Sequence, residues 1–338
     1  MSATRVYIDP RANIEYSAYY IQGLYEVFGR RNVTFSLDHF ATLPDYTNLN
    51  FIIHTGDSSV KYTVDYNDVC AVNKTAYAWC NYYGKINLRA GLFDDYQQKI
   101  VNIPPGFGIR IWGLLPSLWV CFRNMVQTGF YSKRFVSGYI KQIRHLPITA
   151  YTPDSAKLDY AFSFNTLWNS DEWIKNDETV NQMRYNFYKA ITEQPGVRSE
   201  VGFIYSMKRN TNALFQQFVT DKWIPKKEYL QKTKQSVLVF NTPAWDLCHG
   251  WKLAESLALG KAIISTPLAN ELPVDLTHGQ HIHFTTGTVT DTKQAIERLL
   301  TNRIYRESLE KAARRYYTEF VQPRMVIKQL TAAHRLPV

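Results

Sequence analysis

The sequence predicts an α/β protein made of two doubly wound domains, each built around a mainly parallel sheet. Short apolar runs typical of buried strands alternate with segments whose apolar residues recur at helical spacing. This alternation restarts after the turn-rich stretch 147–154. The 338 residues suffice for two domains with separate cores. We therefore expect a first domain at 1–150, a second at 151–320 and a separate final segment at 321–338.

The first domain opens with an apolar strand and an amphipathic helix, and further strands follow. The predicted elements are a strand at Val6–Asp9, a helix at Ile14–Phe28, and strands at Val33–Ser36, Asn50–His54 and Ala71–Cys80. Ligands of a parallel sheet lie beyond the carboxyl ends of its strands. We therefore expect Asp9, His54 and Asp57, which follow or end predicted strands, to share one edge of the sheet.

The second domain repeats the strand and helix alternation. The predicted elements are strands at Leu158–Phe164, Val201–Tyr205, Val237–Phe240 and Ala262–Ile264, with helices at 178–193, 226–234 and about 253–260.

The most informative segment is 236–267, which predicts a strand, a loop, a helix and a second strand. Gly250 precedes the helix, and Gly260 is a natural residue to end it. The amide groups and the dipole at a helix N-terminus favour phosphate. Lys252 lies in the first turn, where a cation is unfavourable unless an anion binds there. Glu255 follows one turn later.

This segment resembles the donor-binding signature of GT-B glycosyltransferases. The family's Gly-rich loop, its Leu-x-Glu-Ala-Leu-Ala-x-Gly helix and its following strand have their counterpart in Lys252–Ile264. His278–Phe284 is similar to the family's next strand, and Asp291–Tyr317 to its long terminal helices. The resemblance implies two Rossmann-like domains facing a central cleft, with a last helix, about 322–334, that returns to the first domain. One position departs from the pattern: the first Glu of the retaining branch would fall at Leu247, beside Asp246. Retaining stereochemistry is therefore not implied.

The resemblance also implies a donor site in the second domain. Glu255 would accept hydrogen bonds from the ribose hydroxyls of a nucleotide, and Lys252 with the backbone at Gly250 would bind the diphosphate. Further candidates for the donor site are His249, Trp251, Lys208, Arg209, Asn165 and Thr166. The alternatives are an i,i+3 pair between Glu255 and Lys252, and structural or surface roles for the other residues.

An inverting transferase needs a base that takes the proton of the acceptor hydroxyl. Asp57 and His54 are the leading candidates, followed by Asp9 and Glu15. The alternative is a turn residue for Asp57 and a hydrogen-bonded strand end for His54. The sequence holds no Asp-x-Asp, so we expect no metal and no cofactor besides the nucleotide-sugar substrate. A helix dipole and cations would then neutralise the leaving diphosphate.

A basic and aromatic stretch lies in the first domain, without one acidic residue between Asp95 and Asp154. Its cations are Lys99, Arg110, Arg123, Lys133, Arg134, Lys141 and Arg144, and its aromatic residues include Phe107, Trp112, Trp119, Phe122, Phe130, Tyr131, Phe135 and Tyr139. Such a composition suits an anionic membrane surface and a lipid-linked acceptor. The alternatives are a plain core with a charged rim, and a nucleic acid, which we consider unlikely without a recognised motif.

Composition places the protein among cytoplasmic enzymes. The four cysteines have no metal-binding spacing, and no apolar leader precedes the first strand. We expect a metal-independent, hexosyltransferase-like enzyme of polysaccharide biosynthesis, peripheral at the inner face of the membrane. It would transfer a sugar from a nucleotide diphosphate to a glycan or a lipid-linked acceptor. The alternatives are a sugar-nucleotide 2-epimerase of the same fold and a non-catalytic module that binds a glycan or a nucleic acid.

Overall fold

The computed structural model describes residues 4–43, 47–89, 91, 96, 98–168, 177–205 and 212–332. The chain divides into two compact units. Unit 1 comprises Met1–Ala150, Glu271–Pro273 and Glu319–Val338, and unit 2 comprises Tyr151–Asn270 and Val274–Thr318. Both units combine a sheet with helices, so the predicted α/β class is confirmed.

The strands and helices follow one another in both units. The strands are β1 (Thr4–Ile8), β2 (Val33–Phe35), β3 (Leu49–Thr55), β4 (Ser58–Asp65), β5 (Tyr82–Lys85), β6 (Ile100–Asn102), β7 (Tyr160–Leu167), β8 (Arg198–Tyr205), β9 (Val239–Asn241), β10 (Ile263–Ser265) and β11 (His283–Phe284). The helices are α1 (Ile14–Phe28), α2 (Lys74–Trp79), α3 (Leu114–Thr128), α4 (Lys133–Arg144), α5 (Asp177–Thr192), α6 (Ala213–Gln216), α7 (Lys226–Gln235), α8 (Trp251–Ala258), α9 (Val289–Thr301), α10 (Arg303–Tyr316) and α11 (Pro323–Ala332).

The sheet of unit 1 has the strand order β2-β1-β3-β4-β5-β6. The pairs β1 with β2, β4 with β5 and β5 with β6 are parallel. β3 is antiparallel to both of its neighbours. The carboxyl ends of the other five strands therefore meet at one edge, and β3 ends at the opposite edge.

The direction of β3 corrects the predicted placement of two candidate bases. β3 and β4 form a hairpin whose two-residue turn is Gly56-Asp57, with a φ of +60° at Gly56 that glycine adopts without strain. His54 pairs with Arg5, four residues before Asp9, so about 13 Å of strand separates His54 from the end that carries Asp9. The prediction that Asp9, His54 and Asp57 share one edge was wrong.

A helix, α2, occupies most of the segment predicted as a strand at 71–80. The Asn73 side chain caps it by accepting a hydrogen bond from the Ala76 amide at 3.0 Å. Asparagine is among the strongest residues at this position because its side chain satisfies an amide that the helix leaves unpaired. The strand prediction relied on the apolar residues and missed this cap.

In unit 2, all the strand pairs of the described residues are parallel. One ladder has the order β11-β10-β9, and the other joins β7 and β8. The Val237 amide donates to the Tyr160 carbonyl at 2.8 Å, which places β7 beside the segment that leads into β9. A parallel bridge between Phe203 and Val219 extends the sheet beyond β8. This is the Rossmann order, and its reversal point lies between β7 and β9.

Aromatic and aliphatic side chains fill the core of unit 2 and fix α8 against the sheet. The rings of Phe187, on α5, and Phe240, on β9, stack with centroids 4.4 Å apart. On α8, Leu253, Ala254 and Leu257 are buried, while Lys252 and Glu255 are only partly buried. The apolar stripe of α8 therefore orients the charged face of its first turns towards the carboxyl end of the sheet.

The last helix belongs to unit 1. A π-helical turn at Tyr317–Val321 separates α10 from α11, and α11 packs on α1. The Tyr19 hydroxyl donates to the Val321 carbonyl at 2.8 Å. A Cβ at Gly23 would lie 2.2 Å from the Pro323 carbonyl oxygen, so the absence of a side chain there allows the two helices to approach.

Candidate functional site

The loop between β9 and α8 has an unusual backbone. Asp246 and Leu247, two consecutive residues with side chains, have φ values of +50° and +59°. Each such conformation costs of order 1–3 kcal/mol, and such residues cluster at ligand sites. The loop is closed by a hydrogen bond from the Ala244 amide to the Cys248 carbonyl at 2.9 Å. Gly250 then occupies the N-cap position immediately before α8, and because glycine has no side chain, it leaves the first amides of the helix uncapped.

Lys252 lies at the reversal point of the sheet. Its ammonium group donates to the Asn165 Oδ1 at 2.6 Å and to the Phe164 carbonyl, both at the end of β7. The same ammonium lies 5.6 Å from the centre of the Tyr229 ring. All three partners are neutral. Among the described residues, no carboxylate contacts the Lys252 ammonium group directly, although the group is partly buried.

The charges around Lys252 are unbalanced in favour of cations. Burial lowers the pKa of Lys252 to about 7, and the positive charges of Arg184 and Lys226 act in the same direction. Glu255 acts against them. Burial also raises the pKa of Glu255, although Lys226 and Lys252 oppose that shift. Among the described residues, the basic side chains Arg184, Lys226 and Lys252 thus lie near one carboxylate, Glu255, an arrangement that favours binding of an anion.

Arg184, on α5, is a residue that the sequence reasoning missed. It is 5 % exposed. Its Nε donates to the Thr242 hydroxyl at 3.0 Å, and its Nη1 donates to the Thr166 carbonyl at 2.9 Å. The guanidinium thereby ties the end of β7 to the loop that follows β9. No local motif marks this residue, since arginine on an amphipathic helix is ordinarily exposed.

The other predicted donor residues lie at the end of β7, around the start of α8, or outside the described residues. Asn165 and Thr166 lie at the end of β7, and His249, 6 % exposed, lies with Trp251 at the start of α8. Besides Lys252, the Asn165 side chain contacts the Tyr188 hydroxyl at 2.8 Å. Lys208 and Arg209 fall outside the described residues. The structure thus brings seven of the predicted donor residues to the end of β7 and the start of α8: Asn165, Thr166, His249, Gly250, Trp251, Lys252 and Glu255.

A small recess lies between α7, β7 and α8. Tyr229, Phe162, Lys252 and Glu255 line it, and its volume is about 20 Å³. That is room for about one water molecule. Tyr229 donates to the Phe164 carbonyl at 3.3 Å, and burial raises the pKa of its hydroxyl above the ordinary range. The recess itself is therefore too small to hold a nucleotide.

The predicted bases of unit 1 are mostly engaged or distant from one another. Asp9 is fully buried and binds Arg11 in a bidentate ion pair, with Nε to Oδ1 at 2.9 Å and Nη2 to Oδ2 at 2.8 Å. Glu15 forms an ion pair with Lys141 at 3.0 Å. Asp57 is exposed in the hairpin turn. Burial and the charge of His39 lower the pKa of His54.

A second buried ion pair lies at the carboxyl edge of the same sheet. Lys85 Nζ is 2.9 Å from Asp65 Oδ2, and the Tyr83 hydroxyl donates to that oxygen at 2.6 Å. The Asn67 amides donate to the other oxygen of Asp65. Because all these atoms already have partners, we assign this group a structural role.

A cavity of about 760 Å³ opens at this carboxyl edge within unit 1. Tyr16, Tyr66, Phe130 and Phe135 give it aromatic walls, and Arg11, Asn13, Asn67, Asp68, Ser132 and Arg134 give it polar groups. The Tyr16 and Tyr66 rings stack with centroids 5.8 Å apart. Flat aromatic faces beside amide and charged groups suit a ligand with both apolar faces and hydroxyls, such as a sugar. Neither the cavity nor Asp68 was predicted from the sequence.

No cluster of three or more histidine, cysteine, aspartate or glutamate side chains that could hold a metal ion is found among the described residues.

The chain has distant similarity to several solved structures. It is 10% identical to S. aureus TarM over 81% of this chain and 50% of TarM, with a TM-score of 0.45. It is 9% identical to a glycosyltransferase from Rickettsia africae over 81% of this chain and 69% of that one, with a TM-score of 0.45. It is 12% identical to Anabaena HepE, solved with UDP and glucose, over 81% and 71%, also with a TM-score of 0.45.

The chain therefore spans half the length of TarM. No protein-family model and no curated protein matches the sequence.

Proposed function

We propose that the protein is a GT-B glycosyltransferase that transfers a sugar from a nucleotide diphosphate to an acceptor hydroxyl, and that unit 2 binds the donor. The observation that carries this proposal is the position of Lys252 and Glu255 in the first turns of α8, at the reversal point of the sheet. An uncapped helix start and an excess of cations suit a diphosphate. A carboxylate one turn further on suits a pair of ribose hydroxyls.

In the proposed reaction, the bond between the anomeric carbon and the diphosphate breaks, and negative charge develops on the leaving phosphate. Lys252 and the amides at the start of α8 would stabilise that charge. Arg184 would act as a positioning residue, because it holds the loop before α8 through Thr242. These groups could replace a divalent cation, and we therefore propose a metal-independent, hexosyltransferase-like enzyme that needs no cofactor.

We further propose that the acceptor binds the cavity of unit 1. Its aromatic walls and polar groups fit a glycan, and Asp68 contributes a carboxylate to the lining. In an inverting mechanism, a carboxylate near the acceptor takes the hydroxyl proton as the new glycosidic bond forms. Asp68 is the better candidate than Asp57, which lies at the opposite edge of the sheet, or Asp9, whose oxygens both bind Arg11.

A screen of nucleotide sugars tests the proposal. The thermal unfolding of the protein would be followed with UDP-, GDP-, CMP- and dTDP-sugars, since a ligand at about 100 times its dissociation constant adds about 2.7 kcal/mol of stability. The sugar that stabilises most would then be incubated with and without glycan acceptors. Transfer only with acceptor supports the proposal.

Two results would contradict it. A product formed without any acceptor would favour the sugar-nucleotide 2-epimerase, which shares the donor site. No stabilisation by any nucleotide would favour a non-catalytic binding module. In a protein that does transfer sugar, Asp68→Asn should lower kcat strongly while donor binding stays unchanged, whereas Asp57→Asn should have little effect.

The acceptor that we favour is lipid-linked, which would place the enzyme at the inner face of a membrane as a peripheral protein of polysaccharide biosynthesis. The support is the run of cations and aromatic residues between Asp95 and Asp154, which contains no acidic residue. No helix of the described residues is long and apolar enough to cross a bilayer.

A further inference from the structure

Helix α3 is amphipathic, but it exposes its apolar face and buries polar side chains. Its apolar side chains point outward: Leu115 is 77 % exposed, Trp119 64 % and Phe122 59 %. Leu114, Leu118 and Val126 are also exposed, at helical spacing. The side chains that it buries include Ser117 and Asn124. A helix of a globular protein normally buries its apolar stripe.

Hydrogen bonds between α3 and α4 fix this orientation. The Gln142 side-chain amide donates to the Ser117 hydroxyl at 3.1 Å, and the Asn124 side-chain amide donates to the Tyr139 hydroxyl at 2.9 Å. Rotating α3 to bury its leucines would break these buried bonds and leave polar groups unpaired, which costs about 1–3 kcal/mol each. The exposed apolar face, which we call the α3 face (Leu114, Leu115, Leu118, Trp119, Phe122 and Val126), is therefore a stable feature of unit 1.

The chain segments on both sides of α3 carry only positive charges. Arg110, before α3, and Lys133 and Arg134, after it, are all exposed, and no acidic residue occurs between Asp95 and Asp154. A contiguous apolar patch on a protein surface marks an interaction site. An apolar protein partner would need only the apolar face, whereas exposed cations in the segments that flank α3 complement a surface that is both apolar and anionic. An anionic lipid bilayer has both properties.

We propose that the α3 face docks on an anionic lipid bilayer, with α3 lying in the plane of the interface and its leucines and rings at the acyl boundary. The inference rests on the proposed function in one respect: it would bring a lipid-linked acceptor to the enzyme. The loop after α3 supports that link, because Phe130 and Ser132 line the cavity of unit 1. Tyr131 between them is 68 % exposed.

Co-sedimentation with vesicles tests the docking. The full chain should bind vesicles of phosphatidylglycerol and phosphatidylcholine and bind much less to phosphatidylcholine alone. Trp119→Glu should reduce binding to the anionic vesicles by about tenfold or more, because it removes a ring that the bilayer would bury and adds a repelled charge. The matched control is Trp223→Glu, which makes the same change at a tryptophan that is 79 % exposed in unit 2. This control should bind as the unchanged protein does.

Fluorescence quenching measures whether Trp119 inserts among the acyl chains. Vesicles with brominated acyl chains should quench the fluorescence of the bound protein, and Trp119→Phe should retain binding but lose most of that quenching. Circular dichroism and donor binding should be unchanged in all three variants. Nucleotide binding without vesicle binding would therefore overturn the docking alone, whereas vesicle binding without nucleotide binding would overturn the proposed function alone.

The competing occupant of the α3 face is a second copy of this chain. Analytical ultracentrifugation decides between the two. The proposal would be overturned if the protein is a dimer that Trp119→Glu converts to a monomer, and if the unchanged protein stays in the supernatant when anionic vesicles are sedimented at low salt. A monomer that sediments with the vesicles supports it.

Discussion

At the scale of single residues, Lys252 and Glu255 decide between a structural and a functional interpretation of α8. The structural alternative was an i,i+3 ion pair between them. Within the part of the chain that the structure describes, no ion pair joins the two side chains, and Lys252 donates to neutral oxygens on β7 instead. Burial shifts the pKa of each side chain towards its neutral form, and the charge of the other side chain offsets this burial cost only in part. An anionic ligand with hydroxyl groups would compensate both.

Glu255→Ala should weaken donor binding through the nucleoside. The expected loss is roughly 1.5–3 kcal/mol, the value of hydrogen bonds to a charged group. Calorimetry with the nucleotide identified in the screen measures it, for the nucleoside as well as for the diphosphate. The matched control is Glu297→Ala, at an exposed position of α9. An unchanged affinity in a folded Glu255→Ala protein would remove this residue from the site.

Donor binding should depend on pH through Lys252. In the free protein the pKa of Lys252 is about 7, so at pH 8 the amine is mostly neutral. A bound diphosphate favours the ammonium form, which raises the pKa of Lys252. Binding at pH 8 should therefore take up protons, and the affinity should fall as the pH rises above about 7. Calorimetry of a nucleotide sugar in buffers of different ionisation enthalpy measures the uptake.

Lys252→Met should abolish the proton uptake, whereas Lys311→Met, at an exposed position of α10, should not. In the free protein, the contribution of Lys252 to the free energy of unfolding changes with pH in the opposite direction to the donor affinity. An exposed lysine has a pKa of about 10.4, so the unfolded chain binds more protons than the folded one between about pH 7 and 10. The contribution of Lys252 to the stability of the free protein therefore rises over that range. Equal proton uptake by the wild type and by Lys252→Met would assign the titration to another group.

At the scale of elements, the sequence indicates the strands and helices of unit 2 better than those of unit 1. The apolar runs before β9 and β10 and the periodicity of α8 suffice for that prediction. In unit 1, β4 has a polar first half and was not predicted. The antiparallel direction of β3 could have been predicted from the sequence, because Gly56-Asp57 is a typical two-residue hairpin turn. Recognising it would have separated His54 and Asp57 from Asp9.

Gly23→Ala should destabilise unit 1, although alanine is the better helix former by about 1 kcal/mol. A Cβ at Gly23 would lie 2.2 Å from the Pro323 carbonyl oxygen and 2.7 Å from Ile327 Cγ1. α11 would have to move away from α1, and such overpacking costs typically about 1–3 kcal/mol. Hydrogen exchange of α1 and α11 measures the loss.

Gln22→Ala, at the neighbouring position on α1, is the control for helix propensity and should leave this exchange nearly unchanged. Slower exchange in Gly23→Ala than in the unchanged protein would show that the two helices have room for a methyl group. The gain in helix propensity from alanine would then outweigh the cost of overpacking between α1 and α11.

At the scale of the whole molecule, the sequence indicates the class of fold and the start of α8, but not the groups that only tertiary structure brings together. Arg184 and Thr242 lie far apart in the chain and meet at 3.0 Å. The cavity of unit 1 collects residues from several separate segments, among them Arg11, Asn67 and Arg134. The reversed amphipathicity of α3 was also hidden, because the same residues would read as an ordinary buried stripe. Only its hydrogen-bond partners on α4 reveal which face is outside.

Transfer of the sugar should continue without divalent cations. The expected reason is that Lys252 and the start of α8 carry the charge of the leaving diphosphate. Activity would be measured after treatment with EDTA and again after addition of Mg²⁺ or Mn²⁺. A loss of activity in EDTA that either metal reverses would contradict the prediction. A change of only a few-fold on adding metal would leave it standing.

The packing of α11 on α1 has a consequence for how the protein is made. On the ribosome, α1 emerges well before α11, because α11, at Pro323–Ala332, emerges only after all of unit 2. Unit 2 can therefore fold while the chain is still being extended, whereas unit 1 waits for its last helix with the Gly23 side of α1 uncovered. A stop codon between unit 2 and α11 would therefore leave unit 1 without the helix that covers α1.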